Sequence, residues 1–219
     1  MIDNRKVYCV AKYENRSFLG ALIYLYRLNK GVSMDKLLSD LKIDPSQKAY
    51  IQRIEKSPKL TNENIKPILE YLGITDDEIN SYPNINSINT NIVFKIKELP
   101  SEKLGVEEIC KELEISKNTC YKLKKVADKI SNITEEEATS IFAELYFNTY
   151  ECSKRNALFY IFFCKNNVNR YRLAKQLNTS SQMIYNLCSG KKTPDVKLLE
   201  RKFGDLYGDR VNYILSTYE

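Results

Sequence analysis

Histidine is absent from the 219 residues, and so is tryptophan. Without histidine there is no Ser-His-Asp triad, no imidazole metal ligand and no side chain whose ordinary pKa sits near neutrality. Glycine and proline are scarce, at 7 and 6 copies, which argues against a loop-rich or all-β protein. Long apolar runs are missing: the longest, Phe18 to Tyr26, has nine residues, against about 20 for a membrane span. The opening Met1-Ile2-Asp3-Asn4-Arg5-Lys6 has neither an apolar h-region nor a small-residue cleavage site, so no secretory signal is expected. The six cysteines form no C-x-x-C. In a chain of this size they read as reduced thiols, and the expected location is cytoplasmic. There is no Gly-rich phosphate loop, no Cys/His pair and no carboxylate pair in a supporting context. Neither an enzyme nor a cofactor nor a metal site is therefore expected.

What is present is an ordinary core-forming composition, 43% apolar and 28% charged, with a net charge of +6. Apolar residues recur at helical spacing, as in Leu19, Ile23 and Tyr26, or Ile92, Ile96 and Leu99. Thr75-Asp76-Asp77-Glu78 and Thr134-Glu135-Glu136-Glu137 have the form of capping boxes, Gly73 that of a helix stop, and Pro194 that of a first helical residue. The spacing predicts a bundle of short helices. One segment, Lys6 to Ala11, is β-branched and aromatic and is expected to be extended. The polar stretch Asn80 to Asn91 reads as a linker, because Asn and Ser compete with the helical backbone and Pro83 blocks continuation. A second boundary is expected near Asn148 to Ser153.

The chain repeats itself. Arg172 to Leu187 aligns without a gap on Glu108 to Leu123, setting Leu173 on Ile109, Leu177 on Leu113, Ile184 on Cys120 and Leu187 on Leu123. The pattern predicts a helix-turn-helix. A first helix supplies apolar residues, and a small residue (Ala174 or Cys110) permits a close crossing. Ser180 or Ser116 caps a second helix, which turns Ile184 and Leu187 inward. A looser copy runs from Gly31 to Glu55. There, Leu41 to Ile51 spans ten residues where the other copies use seven, so three extra residues near Asp44-Pro45-Ser46-Gln47 must lengthen the turn or the second helix.

These segments resemble the lambda-repressor-like (Cro/CI, XRE-type) helix-turn-helix family of bacteria and phages. The first carries Leu19-Gly20-x-x-Ile23-x-x-Tyr26-Arg27, Gly31-Val32-Ser33 and Ile54-Glu55. The third carries Leu173-Ala174, Ile184 and Gly190-Lys191-Lys192-x-Pro194. Glu55 matches the family's glutamate at the end of the recognition helix, whereas Lys124 and Cys188 stand there in the other copies. The resemblance implies an all-α chain of three tandem domains, 1–84, 85–150 and 151–219. It implies a bacterial transcriptional regulator, of which a repressor is one form, that binds double-stranded DNA.

Charge is uneven across those segments. Residues 1–84 hold 13 basic and 11 acidic side chains, 85–150 hold 9 and 11, and 151–219 hold 12 and 6. Phosphate neutralisation dominates DNA affinity, so the third segment is the best placed to dock on a duplex. Its candidate contacts are Ser181, Gln182, Tyr185 and Asn186 on the recognition helix. The resemblance implies base contact by Ser181, Gln182 and Asn186, and phosphate contact by Ser180 and Arg170. Glutamine and asparagine can bond adenine N6 and N7 bidentately. Arg172, Lys191 and Lys192 could bracket the groove. In the second segment the candidates are Lys117, Asn118, Thr119, Tyr121 and Lys122, beside Lys124 and Lys125. In the first they are Ser46, Gln47, Lys48, Gln52 and Arg53, with Tyr50.

The competing reading of each set is a solvated helix face. The aromatic run Leu158 to Phe163 and the terminal stretch Val211 to Tyr218 are candidates for packing on a neighbouring domain or a second copy, so a homodimer is one expected partner state. The competing functional reading is a protein-interaction adaptor or antirepressor that kept the fold and partly lost DNA reading. The departures at Lys124 and Cys188 motivate it, and its partner would be another protein. No membrane association is expected.

Overall fold

Capping residues and apolar spacing become helices throughout the described chain. The computed structural model describes residues 2–99, 105–130, 133–134, 137–138, 140–142, 144–145, 160–163, 169–189 and 205–206. Among these residues every regular element is helical, so the all-α expectation holds, and no strand occurs. None of their helices is long and apolar enough to cross a membrane. Internal contacts divide the chain into two units, Met1–Ile133 and Thr134–Glu219.

The first unit contains α1 (Asn4–Tyr13), α2 (Phe18–Asn29), α3 (Met34–Asp40), a 3-10 turn (Pro45–Gln47) and α4 (Lys48–Lys56). It continues through α5 (Ile65–Leu72), α6 (Asp76–Asn80), α7 (Ser87–Glu98), α8 (Val106–Glu112) and α9 (Lys117–Ala127). The second unit contains α10 (Arg170–Gln176), α11 (Ser181–Ser189) and earlier helical residues at 137–138, 140–142, 144–145 and 160–163.

The core of the first unit forms around α2, whose residues from Phe18 to Leu25 are all buried. Val7, Val10 and Ala11 of α1, Ile51 of α4, and Ile65, Ile68 and Leu72 of α5 are buried with it. Each large apolar side chain removed from water contributes about 1.5–3 kcal/mol. Tyr8 meets Phe18 and Tyr82 edge-on at 5.5 and 6.3 Å between centroids, and Phe18 meets Phe94 of α7 at 6.0 Å. Gly20 lies where α2 touches the end of α4: a Cβ there would stand 2.5 Å from the carbonyl oxygens of Glu55 and Lys56. Only glycine allows that backbone approach.

Two local expectations are corrected. Lys6 to Ala11, expected to be extended, lies inside α1. Asp3 caps this helix through the Arg5 amide at 2.9 Å. Its apolar side chains then bury a face against α2, so tertiary packing overrides strand propensity. Of the polar stretch Asn80 to Asn91, only Ser81 to Asn86 is a connection. Asn86 caps α7 through the Asn89 amide at 2.8 Å, and the helix follows at once. The side chains that oppose a helix interior are those that start one. Elsewhere the signals are met. Thr75 with Glu78 and Thr134 with Glu137 form reciprocal caps, and Gly73 ends α5 with φ of 75°. The boundary expected near Asn148 to Ser153, Pro194 and the terminal stretch from Val211 lie outside the described residues.

Candidate nucleic-acid interface

Three helix pairs are built alike: α3 with α4, α8 with α9, and α10 with α11. Each leading helix has seven residues. Each is followed by a leucine at its C-cap (Leu41, Leu113 or Leu177) and then by one residue in the left-handed region: Lys42 at φ 54°, Glu114 at 52° and Asn178 at 49°. The next amide then returns to the leading helix: Ile43 to the Leu38 carbonyl at 2.8 Å, Ile115 to Cys110 at 3.0 Å, and Thr179 to Ala174 at 2.8 Å. This bond satisfies a carbonyl that the helix end leaves open.

Asp44, Ser116 or Ser180 comes next as a cap. Ser116 and Ser180 accept from the amides of Thr119 and Met183 at 3.2 and 3.1 Å, as expected. The three extra residues of the first pair form the 3-10 turn, opened by Asp44 accepting from the Ser46 amide at 2.7 Å. Behind the turns, Ile51, Cys120 and Ile184 are fully buried at matched positions. Burial, with the neighbouring Cys110 thiol, pushes the Cys120 thiol pKa up.

The same turn, with glycine as its left-handed residue, also joins α2 to α3 at Gly31 and α5 to α6 at Gly73, and it occurs with a non-glycine residue between α1 and α2. Asn15 has φ 52°, Arg16 returns to Ala11 at 3.0 Å, and Ser17 caps α2. Here, however, the second helix is buried and offers no outer face.

Most of the expected contact residues lie on the outside of their pairs. In the first pair Ser46, Gln47, Gln52 and Arg53 are exposed, opposite buried Ile51 and Ile54. Tyr50 is exposed and accepts from the Asn62 amide at 3.3 Å. Lys48 is half-buried and pairs with Asp35 at 2.6 Å. In the second pair Lys117, Asn118, Tyr121, Lys122 and Lys125 are exposed, while Thr119 and Lys124 are half-buried. Lys117 pairs with Glu107 at 2.5 Å.

In the third pair Arg172, Ser180, Ser181, Gln182 and Tyr185 are exposed, and Arg170 and Asn186 half-buried. The Gln182 side-chain amide donates to Asn186 Oδ1 at 2.9 Å. Arg170 lies over the rings of Tyr160 and Tyr185, 5.5 and 6.0 Å from their centroids. Lys191 and Lys192 lie outside the described residues.

Sequence reasoning missed the partners of these residues. Tyr160 entered only as an apolar residue of the run at 158–163, yet its ring orients Arg170. The carboxylates of Asp35 and Glu107 entered only as overall charge. The gapless alignment places Glu107 opposite Tyr171 and Lys117 opposite Ser181, which was the available signal.

The pairs also differ in charge. Residues 33–56 and 105–127 each hold five basic and four acidic side chains, whereas 169–189 hold three basic and no acidic ones. No group of His, Cys, Asp or Glu among the described residues could hold a metal ion. No family model, curated protein or solved structure matches the chain.

Proposed function

We propose that this chain is a sequence-specific, double-stranded-DNA-binding transcriptional regulator. It is read as three tandem lambda-repressor-like helix-turn-helix domains, with α4, α9 and α11 as recognition helices. The third pair carries the reading. It combines Arg170, Arg172 and Lys175, without a single carboxylate, with polar side chains at the exposed start of α11. A recognition helix reads bases with its N-terminal residues while arginine and lysine hold phosphates. The bond from Gln182 to Asn186 uses one amide N–H of Gln182. Gln182 thereby keeps a second N–H and its carbonyl, the donor and acceptor edge that adenine N7 and N6 require.

The test is a salt titration of duplex binding by fluorescence anisotropy, followed by Gln182→Ala with Asn186→Ala. Sequence preference is expected to relax by about 1–3 kcal/mol per lost bidentate contact, with the salt slope unchanged. Absence of salt-dependent duplex binding would sink the reading. The adaptor or antirepressor reading has one observation in its favour: Lys48 and Lys117, both on faces expected to meet DNA, are already engaged by carboxylates. Duplex preference indifferent to the double substitution would favour it.

A further inference from the structure

We propose that the second residue of each leading helix, Asp35, Glu107 or Tyr171, sets how firmly its pair can hold a DNA backbone, and that the third pair is the one left open. This rests on the duplex-binding reading above. The three residues are structurally equivalent, each following the first residue of α3, α8 or α10. Lys48, Lys117 and Ser181, each the first residue of the following helix and three before a buried core residue, are equivalent as well.

In the first two pairs these positions form an ion pair across the turn, Asp35–Lys48 at 2.6 Å and Glu107–Lys117 at 2.5 Å. In the third they hold Tyr171 and Ser181. Side-chain exposure of 74% and 42% in the first ion pair, and 79% and 61% in the second, leaves them solvated. Such exposed pairs add little to folding. Their larger consequence is for an incoming phosphate, which meets a carboxylate where the recognition helix begins and a lysine already neutralised. Fewer counterions are then released on binding.

Tyr171 acts in the opposite sense. The Lys175 ammonium lies 4.8 Å from its ring centroid, and an aromatic face attracts a cation without cancelling its charge. The first turns agree. Asp35, Glu107 and Glu108 suit the positive end of a helix, whereas Arg170 and Arg172 oppose it. The third pair gives up local helix stability and gains positive charge on the same face.

The experiment uses the full chain and a random-sequence duplex. Asp35→Asn with Glu107→Gln should steepen the slope of log affinity against log salt by about one per lysine released, and tighten binding roughly tenfold per lysine near 0.1 M salt. Tyr171→Glu should weaken binding by a similar factor. Glu112→Gln, the same charge change on another face of α8, should leave the slope as it is.

A slope unchanged by the double substitution, in a chain that still binds duplex, would overturn this inference and leave the functional reading standing. So would an equal response to Glu112→Gln, which would mean that net charge alone matters. A wild-type chain that binds no duplex removes the functional reading and this one with it. Because Tyr171 lies in the second unit and Glu107 in the first, loss of folding in one variant leaves the other arm decisive.

Discussion

Helices α4 and α9 occupy matched places in their pairs and are tied down by opposite chemistry. At the end of α4, Glu55 turns inward and is 3% exposed. It accepts from Arg27 Nε at 2.6 Å and from Arg16 Nη1 at 3.3 Å, one cation from α2 and one from the turn before it. Arg27 also donates to the Val32 carbonyl at 3.0 Å, and both guanidinium groups lie over Tyr24, at 4.3 and 5.5 Å.

Helix α9 carries Lys124 in place of that glutamate, half-buried. Its end is held instead by Lys97 of α7, which donates to the carbonyls of Ala127, at 3.3 Å, and Ile130. A cation there also meets the negative end of the helix dipole. What persists between the two pairs is a cationic strap to the end of the outer helix. A side-chain carboxylate receives it in one and the backbone in the other.

The largest way to break this comparison is Glu55→Ala. It would leave two arginines, 13% and 11% exposed, without their shared carboxylate, and Arg16 Nε already lacks a hydrogen-bond partner. Removing one side of a buried ion pair costs about 3–5 kcal/mol. Urea unfolding should show a loss of that order, and Glu55→Gln should recover part of it by keeping the shape and an acceptor. A loss below 1 kcal/mol would mean that the apolar contacts of α2 alone fix α4.

A smaller effect is expected for Lys97→Met, about 1 kcal/mol. It removes two hydrogen bonds to carbonyls. It also relieves a partly buried ammonium, whose pKa burial pushes down. Faster amide exchange confined to the last turn of α9 is the expected signature, and faster exchange throughout the first unit would contradict it.

The two straps also show how far a sequence alone can be read. The repeated turn was legible because its signal is local: Leu113-Glu114-Ile115-Ser116 and Leu177-Asn178-Thr179-Ser180 carry the left-handed residue and the cap at fixed spacing. The instance at Asn15 was hidden. There the matched position is Glu14 and the following helix is apolar almost throughout, so it reads as the start of a core helix. The exposed faces of α4, α9 and α11 followed from period and core position. The partners that qualify those faces did not. Asp35 and Lys48 are 13 residues apart, and Lys97 lies about 30 residues from its carbonyl acceptors. Only the packed turn and the crossing of α7 with α9 bring such groups together. Lys124 read as a departure from Glu55 because the strap replacing it comes from another helix and ends on backbone, which has no sequence signature.

The smallest effect separates the pairs by pH. Besides Glu55, the first pair's surroundings contain a second carboxylate link. Tyr26 of α2 donates its hydroxyl to Glu78 of α6. That bond holds the Glu78 carboxyl below its ordinary value of 4.5. Burial, with help from Glu78, pushes the Tyr26 hydroxyl up to about 12. The two shifts act at opposite ends of the pH scale. A carboxyl depressed on folding contributes stability that is present above its unfolded pKa and lost as pH falls through the lower folded one. A hydroxyl raised on folding contributes stability that is present below its unfolded value of 10.0 and lost as pH rises toward about 12. The link should therefore give a plateau through neutrality with a decline on each side. Tyr26→Phe should flatten both declines in a plot of urea midpoint against pH. The strap onto α9 ends on backbone carbonyls, which do not titrate, so mild acid should quicken amide exchange near α6 before the last turn of α9. If Tyr26→Phe leaves the acid limb unchanged, the Glu78 shift has another source, and the difference in pH sensitivity between this link and the strap onto α9 loses its basis.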